Sequence, residues 1–473
     1  MKSLCLTNKS LNLSKKKTMR NFYLILLLII ITTTNSVKSQ NGLDLLFQWS
    51  DESISDQNWV GNTYNEIWGV AQNGHEFAII GSTQGTHIFD ITNPEDGYLA
   101  AYVEGADSSP AIVHRDFHDY NGYLYAVADE GESTLQIIDI SNLPNSFNVV
   151  YDSDELIKRA HNIFIDSENA IMYVCGGRVL NEWNELSLFS IEEPQNPIFL
   201  GKYDDVGYIH DIYVIDNIGY LNAGDNGLYI VDFSGWTNEA NQYPQILGSL
   251  TDYPDKGYNH SGWLNSTGST YIFADENHGY EMKICDVSNP NEITVNTTFL
   301  SNIDSESMAH NLIIKDNYVY VSHYHDGLWI WDISDPSNPI EVGNFDTYLP
   351  EDHDSYRGAW GVYPLLPSGN ILVSDMQSGL FVLSPLENQN SNLTELDNAI
   401  SIFPNPFVEE INFSFLNSVE NATIQIYDVN GKLVFNKKQL TSNDNISINL
   451  FSGIYFAHIK IEDQLHIRKL IKY

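Results

Sequence analysis

Basic residues are scarce in this chain. It contains 23 lysines and arginines against 62 aspartates and glutamates. Seven of the basic residues lie before residue 40, which leaves 23 − 7 = 16 and a formal charge of 16 − 62 = −46 beyond that point. A nucleic-acid partner and an anionic membrane surface are both disfavoured, because binding phosphate requires the opposite sign. Bound cations, a cationic ligand or a solvated acidic surface outside the cell remain as explanations.

Cysteine is also rare. Only Cys175 and Cys285 lie beyond residue 40, and they fall in different strand-like segments. We therefore expect no disulfide between them and interpret both as small, buried apolar residues. The chain also lacks a Gly-rich phosphate loop, a Cys-x-x-Cys pair, a G-x-S-x-G elbow and an acidic loop with EF-hand spacing.

Long apolar runs are missing too. The most apolar stretch, at 22–31, is too short to span a bilayer, which takes ~20 residues. It follows a basic segment and precedes a polar one, which predicts a secretory signal peptide over 1–39 that is cleaved after Ser39. If Met19 is the true start, 1–18 is an upstream extension. An uncleaved anchor is the alternative, and we predict no transmembrane segment in the mature chain.

Short alternating apolar segments dominate what is present. Between 309 and 348, four of them (311–315, 318–322, 327–333 and 340–345) are separated by brief turn signals. Turns of a few residues force neighbouring strands to pair antiparallel. This stretch therefore predicts one four-stranded sheet, which must be covered on both faces by copies of itself.

The same unit recurs seven times. An Asp-Ile-Ser-Asn-Pro-like turn follows several of the third strands, and a histidine or tryptophan marks the beginning of each first strand. The spacings between these markers are 46, 47, 49, 50, 50 and 50 residues, and the markers are Trp68, His114, His161, His210, His260, His310 and Trp360. Four strands with this period predict an all-β fold, a seven-bladed β-propeller over 40–387.

The two ends of the repeat region complement each other. The seventh unit, at 359–384, shows only three strands, whereas 44–50 resembles the fourth strands of other units. We therefore predict that 44–50 supplies the outer strand of the seventh blade and closes the ring.

The repeats resemble the LVIVD-repeat family, through LQIID at 135–139, LYIVD at 228–232 and LWIWD at 328–332. The similarity extends over nearly all of 44–388 and corresponds to the propeller of "choice-of-anchor B" proteins. It implies an exported propeller and gives no defined biochemical role.

A second domain follows a polar, unpatterned segment at 388–399, which we interpret as a linker. Short strands with glycine turns over 400–473 predict a small C-terminal β-sandwich. The segments ISIFPNP at 400–406, IYDVNGK at 426–432, LFSGIY at 450–455 and RKLIKY at 468–473 resemble the type A sorting domain of type IX secretion in Bacteroidetes. That resemblance implies the type IX secretion machinery as a partner. It also implies a protein that is secreted or attached to the outer surface of a Gram-negative cell.

The five marker histidines are the first candidate site. We expect His114, His161, His210, His260 and His310, with Trp68 and Trp360, to meet near one mouth of the propeller, beside carboxylates such as Asp129 and Glu130. Imidazoles facing carboxylates could bind a transition metal or transfer protons, or recognise a polar ligand. A histidine repeated in five units can equally brace the fold by bonding to neighbouring backbone.

A second set of candidate ligands lies between the second and third strands. His323 and His325 occur in one unit only, so the repeat does not require them, and a His-x-His pair suits a metal. The candidate metal ligands are His323, His325, Asp326, Asp275, Glu276 and Asp225, and the candidate ions are a divalent metal or calcium.

Three functions remain open on sequence alone. The first is a secreted or surface-displayed module that binds an unknown extracellular ligand or protein. The second is a metal-dependent extracellular enzyme with its site at the histidine mouth, and the third is a calcium-dependent structural module.

Overall fold

The structure is a computed structural model. It describes 42–386, apart from 238–241, 351, 352 and 354. In the C-terminal part it describes 400–403, 407, 408, 410–415, 422–428, 432–440, 445–448, 450, 451, 453–461 and 464–472. The predicted signal peptide over 1–39 and the predicted linker over 388–399 lie outside the described residues, as do 404–406 and 429–431 of the sorting-domain segments.

The fold is all-β, as predicted, with seven four-stranded antiparallel sheets that are consistent with a β-propeller. We number the sheets by the chain order of their first strands. The first sheet comprises Tyr64–Gln72, His75–Ser82, Gly85–Asp90 and Tyr98–Glu104. The second comprises Arg115–Tyr120, Tyr123–Ala128, Leu135–Asp139 and Asn148–Ser153, and the third Ile157–Asp166, Ile171–Val179, Glu182–Ser190 and Ile198–Lys202. The fourth comprises Asp211–Ile215, Ile218–Asn222, Leu228–Asp232 and Gln245–Leu250, and the fifth Asn259–Leu264, Thr270–Asp275, Met282–Asp286 and Thr294–Phe299. The sixth comprises Leu312–Lys315, Tyr318–Ser322, Leu328–Asp332 and Ile340–Phe345. The seventh comprises Ala359–Tyr363, Ile371–Asp375, Gly379–Leu383 and Leu45–Trp49.

The repeated aspartate at the end of the third strand has a structural role. In the second sheet, Asp139 Oδ1 accepts hydrogen bonds from the backbone N and the hydroxyl of Ser141, at 3.0 and 2.6 Å. Asp286 makes the same pair of bonds to Ser288 in the fifth sheet. This local bond turns the chain towards the fourth strand, which explains why Asp-x-Ser recurs along the sequence.

The strand before the first sheet joins the last one. Leu45–Trp49 pairs antiparallel with Gly379–Leu383, with Leu45 opposite Leu383 and Trp49 opposite Leu380. The segment from 44 to 50 thus provides the fourth strand of the seventh sheet, which the C-terminal side of the repeat region lacks.

Apolar clusters lie between consecutive sheets. Ile171 of the third sheet, for example, shares a buried cluster with Ile212 of the fourth. A cluster of the same kind joins Ile80 of the first sheet to Leu380 of the seventh. The first strands of consecutive sheets also contact one another, and Tyr64–Gln72 contacts Ala359–Tyr363. Each sheet is therefore buried on both faces by its neighbours.

Cys175 and Cys285 are unpaired and buried, which confirms the prediction made for them. Both lie in apolar clusters between sheets, where their thiols pack as small hydrophobic groups.

The C-terminal part contains two further sheets. One is formed by Ile400–Phe403, Glu410–Phe415 and Asn445–Ser447, and the other by Leu433–Leu440, Ala422–Asp428, Gly453–Ile461 and Gln464–Lys472. Ile411 of the smaller sheet and Ile424 of the larger one belong to the same buried cluster, so the two sheets share a core.

Helical structure in the described residues is limited to Ser234–Thr237 and the 3₁₀ turns Pro94–Asp96 and Pro290–Glu292. Among the described residues, no helix combines the length and hydrophobicity needed to cross a membrane.

A substitution of Trp49 tests how much the strand Leu45–Trp49 contributes to the stability of the fold. Its ring packs against Tyr64, His87 and Phe89 of the first sheet, at centroid distances of 4.7 to 5.4 Å. Trp49→Ala should lower the free energy of unfolding by about 3 kcal/mol, because it leaves a cavity between two sheets. Chemical denaturation measures the change. Gln48→Ala, on the exposed side of the same strand, is the control, and equal stabilities of the two variants would contradict the prediction.

Candidate functional site

The five marker histidines line one cavity of about 280 Å³. His114, His210, His260 and His310 lie within two residues of the start of the first strand of their sheets. His161 is the fifth residue of Ile157–Asp166, and it lines the same cavity. Trp360 lines the cavity from the seventh sheet. The complete lining is Trp59, Val60, Val113, His114, His161, His210, His260, Glu276, His310, Tyr324, Tyr356 and Trp360.

The rings of the histidines and Trp360 follow one another in chain order. Neighbouring ring centroids are 4.0 to 5.2 Å apart. Trp360 lies 4.4 Å from His310 and 5.2 Å from His114, so the series returns to its start. Five imidazoles and one indole thus form a continuous ring, which we call the histidine ring.

Oxygen acceptors fix four of the imidazoles. His114 Nδ1 donates to Glu130 at 2.5 Å, and His161 Nδ1 donates to Asp129 at 2.9 Å. His210 Nδ1 donates to the carbonyl of His260 at 3.1 Å, and His310 Nδ1 to that of Trp360 at 2.5 Å. Because a carbonyl can only accept, the proton of the last two rings lies on Nδ1. Their Nε2 atoms have no hydrogen-bond partner among the described residues and can act as ligands.

These bonds combine the two roles that the sequence left open. His210 and His310 bond to backbone one sheet further along, which is the bracing role of a repeated histidine. The same bond orients the ring, as the partner of a metal-bound histidine does in known metal sites. Bracing through Nδ1 therefore does not compete with binding through Nε2.

Two groups of side chains, each with two residues of the histidine ring and one adjacent carboxylate, have the spacing of metal ligands. His114, Asp129 and His161 form one group, and His260, Glu276 and His310 form the other. Within each group the potential ligand atoms lie within 4.8 Å of one another. Two imidazoles and a carboxylate are a donor set that suits zinc or iron(II).

Burial keeps the inner imidazoles neutral. It lowers the pKa of His310 to about 3, and it lowers the pKa of His210 and of His260 well below the ordinary value, with neighbouring histidines acting in the same direction. Burial raises the pKa of Glu276 to about 7, although a hydrogen bond from the Tyr324 hydroxyl at 2.5 Å opposes this shift. Neutral imidazoles keep the lone pair that a metal requires.

Three acids lie next to the histidine ring. Glu66, Asp116 and Asp211 line a cavity of about 30 Å³ together with the five histidines. Asp116 is buried, and Glu66 and Asp211 are half-buried. Burial raises the pKa of Glu66 and of Asp211 to about 7 and raises that of Asp116 well above its ordinary value. Nearby carboxylates add to the shift of Glu66 and Asp116.

Sequence reasoning missed these three acids, although a signal was present. Asp116 follows His114 by two residues, Asp211 directly follows His210, and Glu66 precedes Asp116 by the 50-residue period. The polar residues at the same level are Asn162, Ser261 and Asn311. Tyr324, Trp59 and Tyr356 of the cavity lining were missed as well, and no repeat pattern marks them.

Trp68 lies two residues beyond Glu66 on the same strand, in a third layer of side chains after the histidines and the acids. It does not line the histidine cavity. Its ring lies 4.3 Å from that of His118 and 4.9 Å from that of Tyr363. Its Nε1 donates to Asp119 at 2.8 Å. Trp68 and His118 are separated by the 50-residue period, so the residue that corresponds to Trp68 in the second sheet is His118, deeper along the strand than His114.

The His-x-His pair at 323 and 325 does not reach the cavity either. His323 is fully buried with Nδ1 3.1 Å from Asp326, whose other oxygen accepts from His353 at 2.7 Å. His325 instead donates Nε2 to the carbonyl of Ser355 at 2.7 Å. The two rings therefore have different partners, and the residue of this turn that lines the cavity is Tyr324.

Asp275 and Asp225, two further candidate metal ligands, also lie outside the histidine cavity. Asp275 accepts from Lys283 Nζ at 2.7 Å and from the Tyr253 hydroxyl at 2.9 Å, with both charged side chains fully buried. Asp225 lies exposed in a turn. Of the six candidate metal ligands, Glu276 is the one that lines the histidine cavity.

Two family models match the chain. The secretion system C-terminal sorting domain matches residues 401–473, and the LVIVD repeat matches 119–149 and 307–347. The chain is a propeller-like repeat protein with a type IX sorting tail. That tail indicates handling by the type IX secretion system, with secretion or attachment to the outer surface in Bacteroidetes-type bacteria.

Curated proteins gave no match to the chain. Similar solved structures include the β-propeller domain of Cps50 (Swd1) from Myceliophteria thermophila, at 11% identity and a TM-score of 0.49, covering 69% of this chain and 98% of that one. Another is the computationally designed Ika8 protein, at 12% identity and a TM-score of 0.42, covering 89% of this chain and 100% of that one. Neither similarity bears on function.

We expect the stability of the protein to depend on the buried ion pair of Lys283 and Asp275. Lys283→Met should lower the free energy of unfolding by about 3–5 kcal/mol, because it leaves the Asp275 carboxylate buried without its cation. Urea denaturation measures the loss. The double variant Lys283→Met with Asp275→Leu removes both charges and should recover part of it. A single variant as stable as the unmodified protein would contradict the assignment of Asp275 to the ion pair.

Proposed function

We propose that this protein is an exported, seven-bladed β-propeller that binds a transition metal ion in the histidine ring. The observation that carries the proposal is the meeting of five imidazoles in one cavity, two of which, His210 and His310, are oriented through Nδ1 by a backbone carbonyl. Orientation through one ring nitrogen leaves the other available for a ligand. The protein is a binding module in this proposal, and its ligand is a metal.

Closure of the seven sheets into a ring is part of the same proposal. It is supported by the pairing of Leu45–Trp49 with Gly379–Leu383 and by the apolar cluster shared by the first and seventh sheets. Closure matters for the site because it brings Trp360 of the seventh sheet beside His114 of the second. The choice-of-anchor B type and an origin in Bacteroidetes fit this proposal and the sorting tail.

A metal-dependent enzyme is the second candidate. Two imidazoles and one carboxylate, as in the group of His260, Glu276 and His310, leave a coordination position on a metal ion open to a substrate. The cavity also extends to Trp59, which is 77% exposed, so its outer side is open to a substrate.

Metal content tests the proposal. The exported, untagged protein should contain at least one zinc, copper or iron per chain by elemental analysis. The variant with His260→Ala and His310→Ala should lose metal at that group. His118→Phe is the matched control, since His118 is a buried channel histidine outside the cavity. A protein without metal, with a lower melting temperature in the double variant, would mean that the histidines only brace the fold.

Removal of the sorting tail tests the route of export. In a bacterium with type IX machinery, a chain without residues 400–473 should fail to reach the medium and the cell surface, because the machinery recognises this domain. Fractionation and surface labelling compare the truncated and full chains. Equal surface amounts of the two would contradict the prediction.

A further inference from the structure

Resting on the proposed metal-binding function, we propose that the histidine ring holds two metal ions, in two separate three-ligand subsites. The first subsite consists of His114, Asp129 and His161, and the second of His260, Glu276 and His310. Both are groups whose potential ligand atoms lie within 4.8 Å of one another, and they share no residue. In the first subsite, a metal shared by His161 and Asp129 would replace the proton that His161 Nδ1 donates to Asp129.

The subsites have the same composition. Each takes one histidine from each of two consecutive sheets and one carboxylate that directly follows a second strand. Asp129 follows Tyr123–Ala128, and Glu276 follows Thr270–Asp275. Two imidazoles and one carboxylate leave at least one coordination position open on a zinc or iron(II) ion.

Acids recur at the ends of the second strands and in the turns that follow them, namely Asp129, Glu130, Asp225, Asp275, Glu276, Asp326 and Asp375. Their contacts distinguish them. Asp275 pairs with Lys283, for example, and Asp375 accepts from the Thr347 hydroxyl. Among the described residues, Asp129 and Glu276 are the acids that group with two cavity histidines each.

His210 separates the subsites. Its ring centroid lies 4.1 Å from that of His161 and 4.0 Å from that of His260. Its Nδ1 is already bonded to the carbonyl of His260, so only Nε2 remains. His210 can therefore complete one subsite but cannot bridge two ions.

The subsites differ in exposure. His260 and His310 are each 3% exposed, whereas His114, Asp129 and His161 are all partly exposed. A chelator should therefore remove one equivalent of metal faster than the other.

Metal stoichiometry of the protein made from the full-length chain tests the inference. The protein is stripped with a chelator, reloaded with Zn²⁺, separated from free metal by gel filtration and analysed for zinc and protein. Two zinc per chain are expected, with biphasic release to a chelator. Titration with Co²⁺, followed by its visible absorption, should show a break at two equivalents.

Paired variants locate the ions. His114→Ala with Asp129→Asn should leave one zinc per chain, and so should His260→Ala with Glu276→Gln. The four substitutions together should leave none, which also measures non-specific binding by an acidic protein. Asp225→Asn, at an exposed acid outside the cavity, is the control and should keep two.

The outcomes separate the two proposals. One zinc in the unmodified protein, abolished by either pair of substitutions, would overturn the two-ion inference and leave the proposed function intact. No zinc or cobalt above the level of the four-fold variant would overturn both. The titrations of the unmodified protein decide the stoichiometry even if a variant fails to fold.

Discussion

Burial of both faces of every sheet is the constraint on which this structure depends. A four-stranded sheet with apolar side chains on each side is not stable in water by itself, and here each sheet is covered by its two neighbours. The first and seventh sheets meet the same requirement through Trp49, Ile80 and Leu380, which pack in one cluster. Packing of this kind brings all seven first strands together, and that proximity alone places side chains from sheets far apart in sequence around one cavity.

The strands were predictable because their pattern is local. Alternation, Asp-x-Ser turns and the period of about fifty residues mark the strands of each unit, and the segment at 44–50 was recognisable as a fourth strand by its resemblance to others. It was harder to predict which residues of neighbouring first strands lie side by side. A tryptophan and a histidine 46 residues apart look like the same marker, but Trp68 corresponds to His118. The pairing of the first two strands of the first sheet shifts between Tyr64 and Ile67, and a local pattern does not reveal such a shift.

The composition of the candidate site was predictable only in part, for the same reason. The histidines recur with the repeat and were found from it. Asp129 and Glu276 were also named from the sequence, but the grouping of each with two histidines was not, because it depends on how two sheets pack. Glu66, Asp116 and Asp211 at the next level were missed, since they belong to three different sheets. His323 shows the opposite case: a sequence pattern that suits a metal is used for contact with a buried aspartate.

A repeated histidine is usually assigned either to the fold or to a ligand, but its two nitrogens allow both. In His210 and His310, Nδ1 holds the backbone of the next sheet, and this bond requires the tautomer that leaves Nε2 unprotonated. The stronger the bracing, the better each ring is oriented for a ligand in the cavity. A repeat that selects histidine for structure therefore supplies several oriented nitrogen donors at one place. Asp129 and Glu276, which each lie beside two of these histidines, then complete the donor set that we propose for a metal.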